Sequence, residues 1–80
     1  MDIDTARDVV RAAFRSSSEL QQLLATLKER CWPDEYKDYA RNIAAAIDAI
    51  GESLINKAIA EHPQLKSEIE ASIAKTGRYG

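Results

Sequence analysis

The residues at positions 3, 6, 10, 13, 17, 20, 24, 27 and 31 read Ile, Ala, Val, Ala, Ser, Leu, Leu, Leu and Cys. The intervals alternate three and four without a slip, and Ser17 alone interrupts the apolar run. Such spacing keeps one narrow stripe of a helix turned toward a partner, the pattern of a bundle or coiled-coil seam. Val9, Phe14 and Leu23 flank the stripe and widen it toward the broader face of a globular bundle. The feature constrains architecture strongly and says nothing of chemistry.

Strand signals are missing: no stretch alternates apolar and polar residues for long. Pro33 and Pro63 divide the chain into three helical segments, at about 4–30, 34–61 and 63–75. Each proline suits the first turn of a helix and discourages helix at the residue before it. In the first segment Asp4, Thr5 and Asp8 suit a helix start, while Lys28 and Arg30 complement the carbonyls at its end. Ser16 followed by Glu19 matches a capping box, which would begin a second helix there. The stripe keeps its phase through Ser16–Ser18, so one continuous helix is expected.

In the second segment Tyr36, Ala40, Ile43, Ile47, Ile50 and Leu54 fall within roughly 80° of one another on a wheel. Asn42, Ala46, Ala49, Ser53, Asn56 and Ala60 form a neighbouring stripe of short side chains. Lys37, Asp38, Arg41, Asp48 and Glu52 make the solvated side. After Gly51 the pattern swings: Ile55 and Ile59 lie roughly 100–160° round from Ile43. A face that turns in this way implies a second neighbour, since the first helix cannot cover both sets. In the third segment Leu65, Ile69 and Ile73 give one thin apolar line, and Gly77 fits the residue that ends the helix. Residues 77–80 have no periodicity and read as a flexible tail.

Two helices of about 40 Å each, joined through Cys31-Trp32-Pro33, are expected to pack antiparallel. The expected fold is therefore all-α: an antiparallel helical hairpin with a short C-terminal helix, in a single domain over residues 1–76. Eighty residues bury only roughly 60–65% of their unfolded surface, so a core from one chain is marginal without staples. Cys31 is the sole cysteine, so no intrachain disulfide is available, and His62 is the sole histidine. Neither a metal nor a cofactor is implied. Oligomerisation is the remaining remedy, and a homodimer that completes the bundle is expected. Its candidate interface is Ala46, Ala49, Ser53, Ile55, Ile59, Leu65, Ile69 and Ile73.

Eleven basic and thirteen acidic residues give a net charge of −2, whereas a dedicated nucleic-acid binder normally shows a basic excess. The opening MDIDTARD is no signal peptide, and no apolar run has the roughly 20 residues of a membrane span. A cytoplasmic protein without membrane contact is the expectation. The three glycines stand at 51, 77 and 80, so there is no phosphate-cradling loop. Cys31 and His62 stand near opposite ends of the second helix, too far apart for a nucleophile–base pair. Cys31 reads as a small buried hydrophobe and His62 as part of a helix corner. Asp34 and Glu35 are explained by the helix dipole, and Glu68 and Glu70 point apart.

Arg7, Arg11 and Arg15 line one side of the first helix at spacing four. They read as a candidate contact for an anionic partner, or as a solvated face with Asp4–Arg7, Asp8–Arg11 and Arg15–Glu19 pairs. Trp32, Tyr36 and Tyr39 gather at the turn, as a cap over the core or as a sticky contact surface. A hairpin of this length with tryptophan at its turn resembles the small Trp-x-Gly secretion substrates. Where that family has its glycine this chain reads Trp32-Pro33-Asp34, and residues 77–80 do not supply its secretion signal, so no family role is carried over. The expected function is non-enzymatic: a small helical protein–protein interaction or regulatory protein. The alternative is a nucleic-acid-associated, antitoxin-like regulator using the arginine row.

Overall fold

The structure, a computed structural model, describes residues 1–79. Gly80, the last residue of the expected tail, lies outside the described residues. Helix accounts for 89% of the described residues, with no strand among them. The elements are α1 (Ile3–Arg30), α2 (Pro33–Ile50), a π turn (Gly51–Ile55), α3 (Asn56–Glu61) and α4 (Gln64–Thr76).

α1 runs through Ser16–Ser18 without a break, so the phase of the stripe outweighs the capping-box signal. Its N-cap is Asp2, two residues ahead of the expected start, and the Asp2 carboxylate accepts the Thr5 backbone N–H at 2.7 Å. All nine stripe positions are buried or half-buried. Pro33 opens α2 at its first turn, where its missing N–H is not needed. Gly77 closes α4 in the left-handed region, φ 79°, which glycine adopts without a Cβ penalty.

α2, the π turn and α3 form one continuous rod, because Gly51, Ile55 and Asn56 all keep right-handed helical angles. The Asn56 N–H donates to the Gly51 carbonyl, five residues back, so this turn holds one residue more than an α-helical turn. One extra residue shifts everything beyond it by about 100°. Ile55 and Ile59 are thereby brought back from about 120° and 160° to roughly the side of Ile43. The swing expected after Gly51 is thus in large part a change of helical pitch: α1 remains a neighbour of Ile55 and Ile59, and α4 joins it as the second one expected. α1 packs against α2, the π turn and α3 alike. Leu54 moves the other way: its place in the expected stripe is lost within the π turn, and it is 42% exposed.

The core is small. Ala6, Val10, Ala13, Ile43, Ala58, Leu65 and Ile69 are buried, and only Leu65 and Val10 among them combine size with full burial. Ala6, Val10, Ala58, Leu65 and Ile69 form one cluster, with Ile3, Phe14, Ile55, Ile59 and Tyr79 packed on its margin. α4 therefore supplies the cover that Ile55 and Ile59 need, and does so together with α1. No helix among the described residues is long and apolar enough to cross a membrane.

Candidate functional site

Arg7, Arg11 and Arg15 sit at successive turns of α1 and have different surroundings. Arg7 forks Glu68 on α4, donating from Nε to Oε1 and from Nη2 to Oε2, both at 3.0 Å. Its Nη1 donates to Asp4 at 2.7 Å. The paired donors hold the Glu68 carboxyl below its usual range, and the two acids raise Arg7 still further above its own. Arg7 is thus a clamp between α1 and α4. Arg11 donates to Asp8 at 3.1 Å, and its guanidinium carbon stands 6.0 Å from the centre of the Tyr79 ring. The expected Arg15–Glu19 pair is not formed, and among the described residues Arg15 has no ion-pair partner.

Where α4 ends, the chain turns back. Past Gly77 the Arg78 carbonyl accepts the Ser72 hydroxyl at 3.0 Å and the Thr76 hydroxyl at 2.7 Å. That grip lays Tyr79 on Phe14 of α1, with ring centres 5.8 Å apart and planes tilted by 41°. Arg78 and Tyr79, expected to belong to a flexible tail, are folded onto the body. They close one end of an open groove of about 830 Å³. Phe14, Ile47, Ile55 and Ile73 line it with apolar surface, Ser17, Ser18, Gln21 and Gln22 give it a polar wall along α1, and Arg11, Arg15 and Arg78 supply its basic groups, with Glu19 the one acid. Gly51 also lines it, and a Cβ placed there would meet nothing within 4 Å.

The eight candidate interface residues separate into two groups. Leu65 and Ile69 lie in the chain's own core, and Ile55 and Ile59 are half-buried against it. Ala46, Ala49, Ser53 and Ile73 are exposed. Of these, Ile73 faces the groove, whereas Ser53 lies beside Val9, Leu54 and Ala58 at a smaller dent of about 160 Å³. At the α1–α2 turn Trp32 is 81% exposed and Tyr39 50% exposed, so these two rings do not cap the core, whereas Tyr36 is half-buried.

The isolated reactive groups have plain surroundings. Burial and the neighbouring Glu35 carboxylate push the Cys31 thiol up, which disfavours the nucleophilic thiolate. His62 closes α3, and its Nε2 lies 3.0 Å from the Met1 carbonyl, to which it can donate. Among the described residues no three His, Cys, Asp or Glu side chains gather as metal ligands.

The groove is what sequence reasoning missed, because its walls come from residues sixty positions apart. Only Gly77 carried a local signal: a left-handed residue after a helix reverses the chain, which brings the next side chains back over the bundle. No protein-family model matches the chain, and no curated protein or solved structure is significantly similar to it.

Proposed function

We propose that this chain is a non-enzymatic protein–protein interaction module, a small regulatory or accessory factor that works as a homodimer. In this reading α1 and the α2–α3 rod close as an antiparallel hairpin, and two hairpins complete a bundle. Contact between the start of α1 and the end of α3, through Met1 and His62, supports the hairpin.

The observation that carries the dimer is a second seam on the rod, along α2 and into the π turn. Tyr39, Asn42, Ala46, Ala49 and Ser53 repeat the three–four alternation, and all five are exposed. They fall within about 80° of one another and avoid the side that α1 covers. Small side chains there let a second helix approach closely, and Tyr39 adds apolar area. Leu54, beside Ser53, is a large apolar side chain left 42% exposed. A core whose only large, fully buried side chains are Leu65 and Val10 gives a further reason to pair.

Two-fold pairing along this seam makes Ala49 meet its own copy or a near neighbour. At micromolar concentration, light scattering should give twice the 8.9 kDa chain mass. Ala49→Glu sets like charges against each other across the axis and should yield a monomer that keeps its helical circular dichroism. A wild-type monomer at that concentration sinks the dimer.

The nucleic-acid alternative has less behind it. Arg7 is already engaged by Glu68, and an apolar floor is of no use to a phosphate backbone.

A further inference from the structure

α1 has 28 residues and α4 has 13, so α4 spans about 20 Å of a helix about 42 Å long. Glu68 lies opposite Arg7, and Tyr79 opposite Phe14, so α4 ascends alongside the first half of α1 and then stops. The groove opens at that stop. It continues along the line α4 has followed, between the middle of α1 and Ile47, Gly51 and Ile55 of the rod. The third layer of the bundle is present for half the length of α1 and missing for the rest.

We infer that this groove binds a helix of a partner protein, amphipathic and acidic, laid end to end with α4. The inference rests on the interaction reading above and identifies the chemistry of the partner. Two observations select the occupant. The groove's basic residues, Arg11, Arg15 and Arg78, outnumber its one acid in a chain whose net charge is −2, so the local sign opposes that of the whole. Arg15 and Arg78 have no ion-pair partner among the described residues. The rod side of the groove is apolar at Ile47 and Ile55 and the α1 side beyond Phe14 is polar, a division that an amphipathic helix with an i, i+3, i+4, i+7 apolar side matches and a nucleic acid does not. Gly51 leaves room at the floor for a close backbone approach. The π turn that contains it adds to the case, since such turns are frequent at functional sites. Tyr79 on Phe14 forms the end wall against which the first turn of the guest helix stacks.

The test uses the full chain and a fluorescein-labelled, helix-stapled peptide of 14 residues, with leucine along one side and glutamate flanking it. Fluorescence anisotropy should show saturable one-to-one binding that weakens as salt rises from about 50 to 500 mM, because the exposed arginines are screened. Arg15→Glu should weaken binding about tenfold or more, equivalent to 1.4 kcal/mol. Gly51→Leu should block the floor and abolish binding. Both positions are free of contacts the fold depends on, and unchanged helical circular dichroism checks this. Lys57→Glu makes the same charge change at the dent on the other side of the rod and should leave affinity within about twofold. The inference is overturned by absence of saturable binding below about 1 mM. It is equally overturned if a lysine-for-glutamate peptide binds as well, or if duplex DNA displaces the acidic peptide at comparable concentration. Light scattering on the wild-type chain beside its titration separates the two proposals: a wild-type monomer that binds refutes the dimer alone, and a wild-type dimer that does not bind refutes the groove alone.

Discussion

Ala6, Val10 and Ala13 are 0–1% exposed, whereas Leu20, Leu24 and Leu27, on the same stripe of the same helix, are only half-buried. The smaller side chains are the better covered. Along Ala6–Ala13 the helix meets the rod, and α4 roofs the same stretch through Leu65, Ile69 and the Arg7–Glu68 fork. Along Leu20–Leu27 nothing roofs the pair, and Leu23, Trp32 and Tyr39 remain exposed nearby. An apolar stripe thus states which side of a helix seeks a neighbour. It does not state how many neighbours arrive. The number of layers, more than the hydrophobicity of the stripe, decides how dry each stretch becomes.

The sharpest way to break this contrast is to truncate one leucine in each region. Leu65→Ala removes a fully buried side chain beneath Val10 and Ala6 and should cost about 3 kcal/mol. That is a large part of the roughly 4–12 kcal/mol expected for eighty residues. Leu24→Ala, on the two-layered stretch, should cost about 1 kcal/mol. Urea denaturation at one fixed protein concentration reads both, and equal losses would erase the distinction.

A smaller effect, of opposite sign, comes from Gly51. It keeps right-handed helical angles, φ −60° and ψ −49°, and an added methyl would meet only open space. Gly51→Ala should therefore stabilise by about 0.5–1 kcal/mol, chiefly by restricting the unfolded chain. A lower melting temperature would mean that the π turn depends on glycine for more than room.

The smallest effect is the pH response of the roofed region. Arg7 holds the Glu68 carboxyl below its ordinary 4.5, and hydrogen bonding by Thr5 does the same for Asp2, whose ordinary value is 3.8. A carboxyl lowered in the folded state contributes stability that is complete above its unfolded value and is lost as pH falls through its folded value. Melting should thus be level from pH 7 to about 5 and decline below about 4.5. Amide exchange should rise first around Asp2–Val10 and α4, with residues 20–40 unaffected. Glu68→Gln should flatten the upper part of that decline.

The sequence carried the helices well, because each depends on a local period. The stripe from Ile3 to Cys31 specifies α1 whole, and Pro33 and Gly77 mark boundaries through their own backbone preferences. Ile55 and Leu54 exchanged roles because a wheel at constant pitch cannot hold an extra residue, although the swing after Gly51 was its visible trace. The groove depends on where α4 stops relative to α1, and on Tyr79 folding back over Phe14. Both are matters of tertiary packing with no period to reveal them. The arginine row was visible, yet its division was not: Glu68, sixty-one residues away, claims Arg7, while Arg15 has no ion-pair partner among the described residues.

The π turn also records where the chain is tolerant of a change in length. A π turn is an α-helical turn with one residue inserted, so removing one of Gly51–Ile55 leaves an ordinary helix whose two halves keep their present alignment. Ile43, Ile47, Ile50, Ile55 and Ile59 would then follow one another at intervals of three or four residues throughout. The same excision elsewhere along the rod would turn everything after it by about 100° and carry α4 off α1. The register of this molecule has a single slack link, and that link forms the floor of its groove.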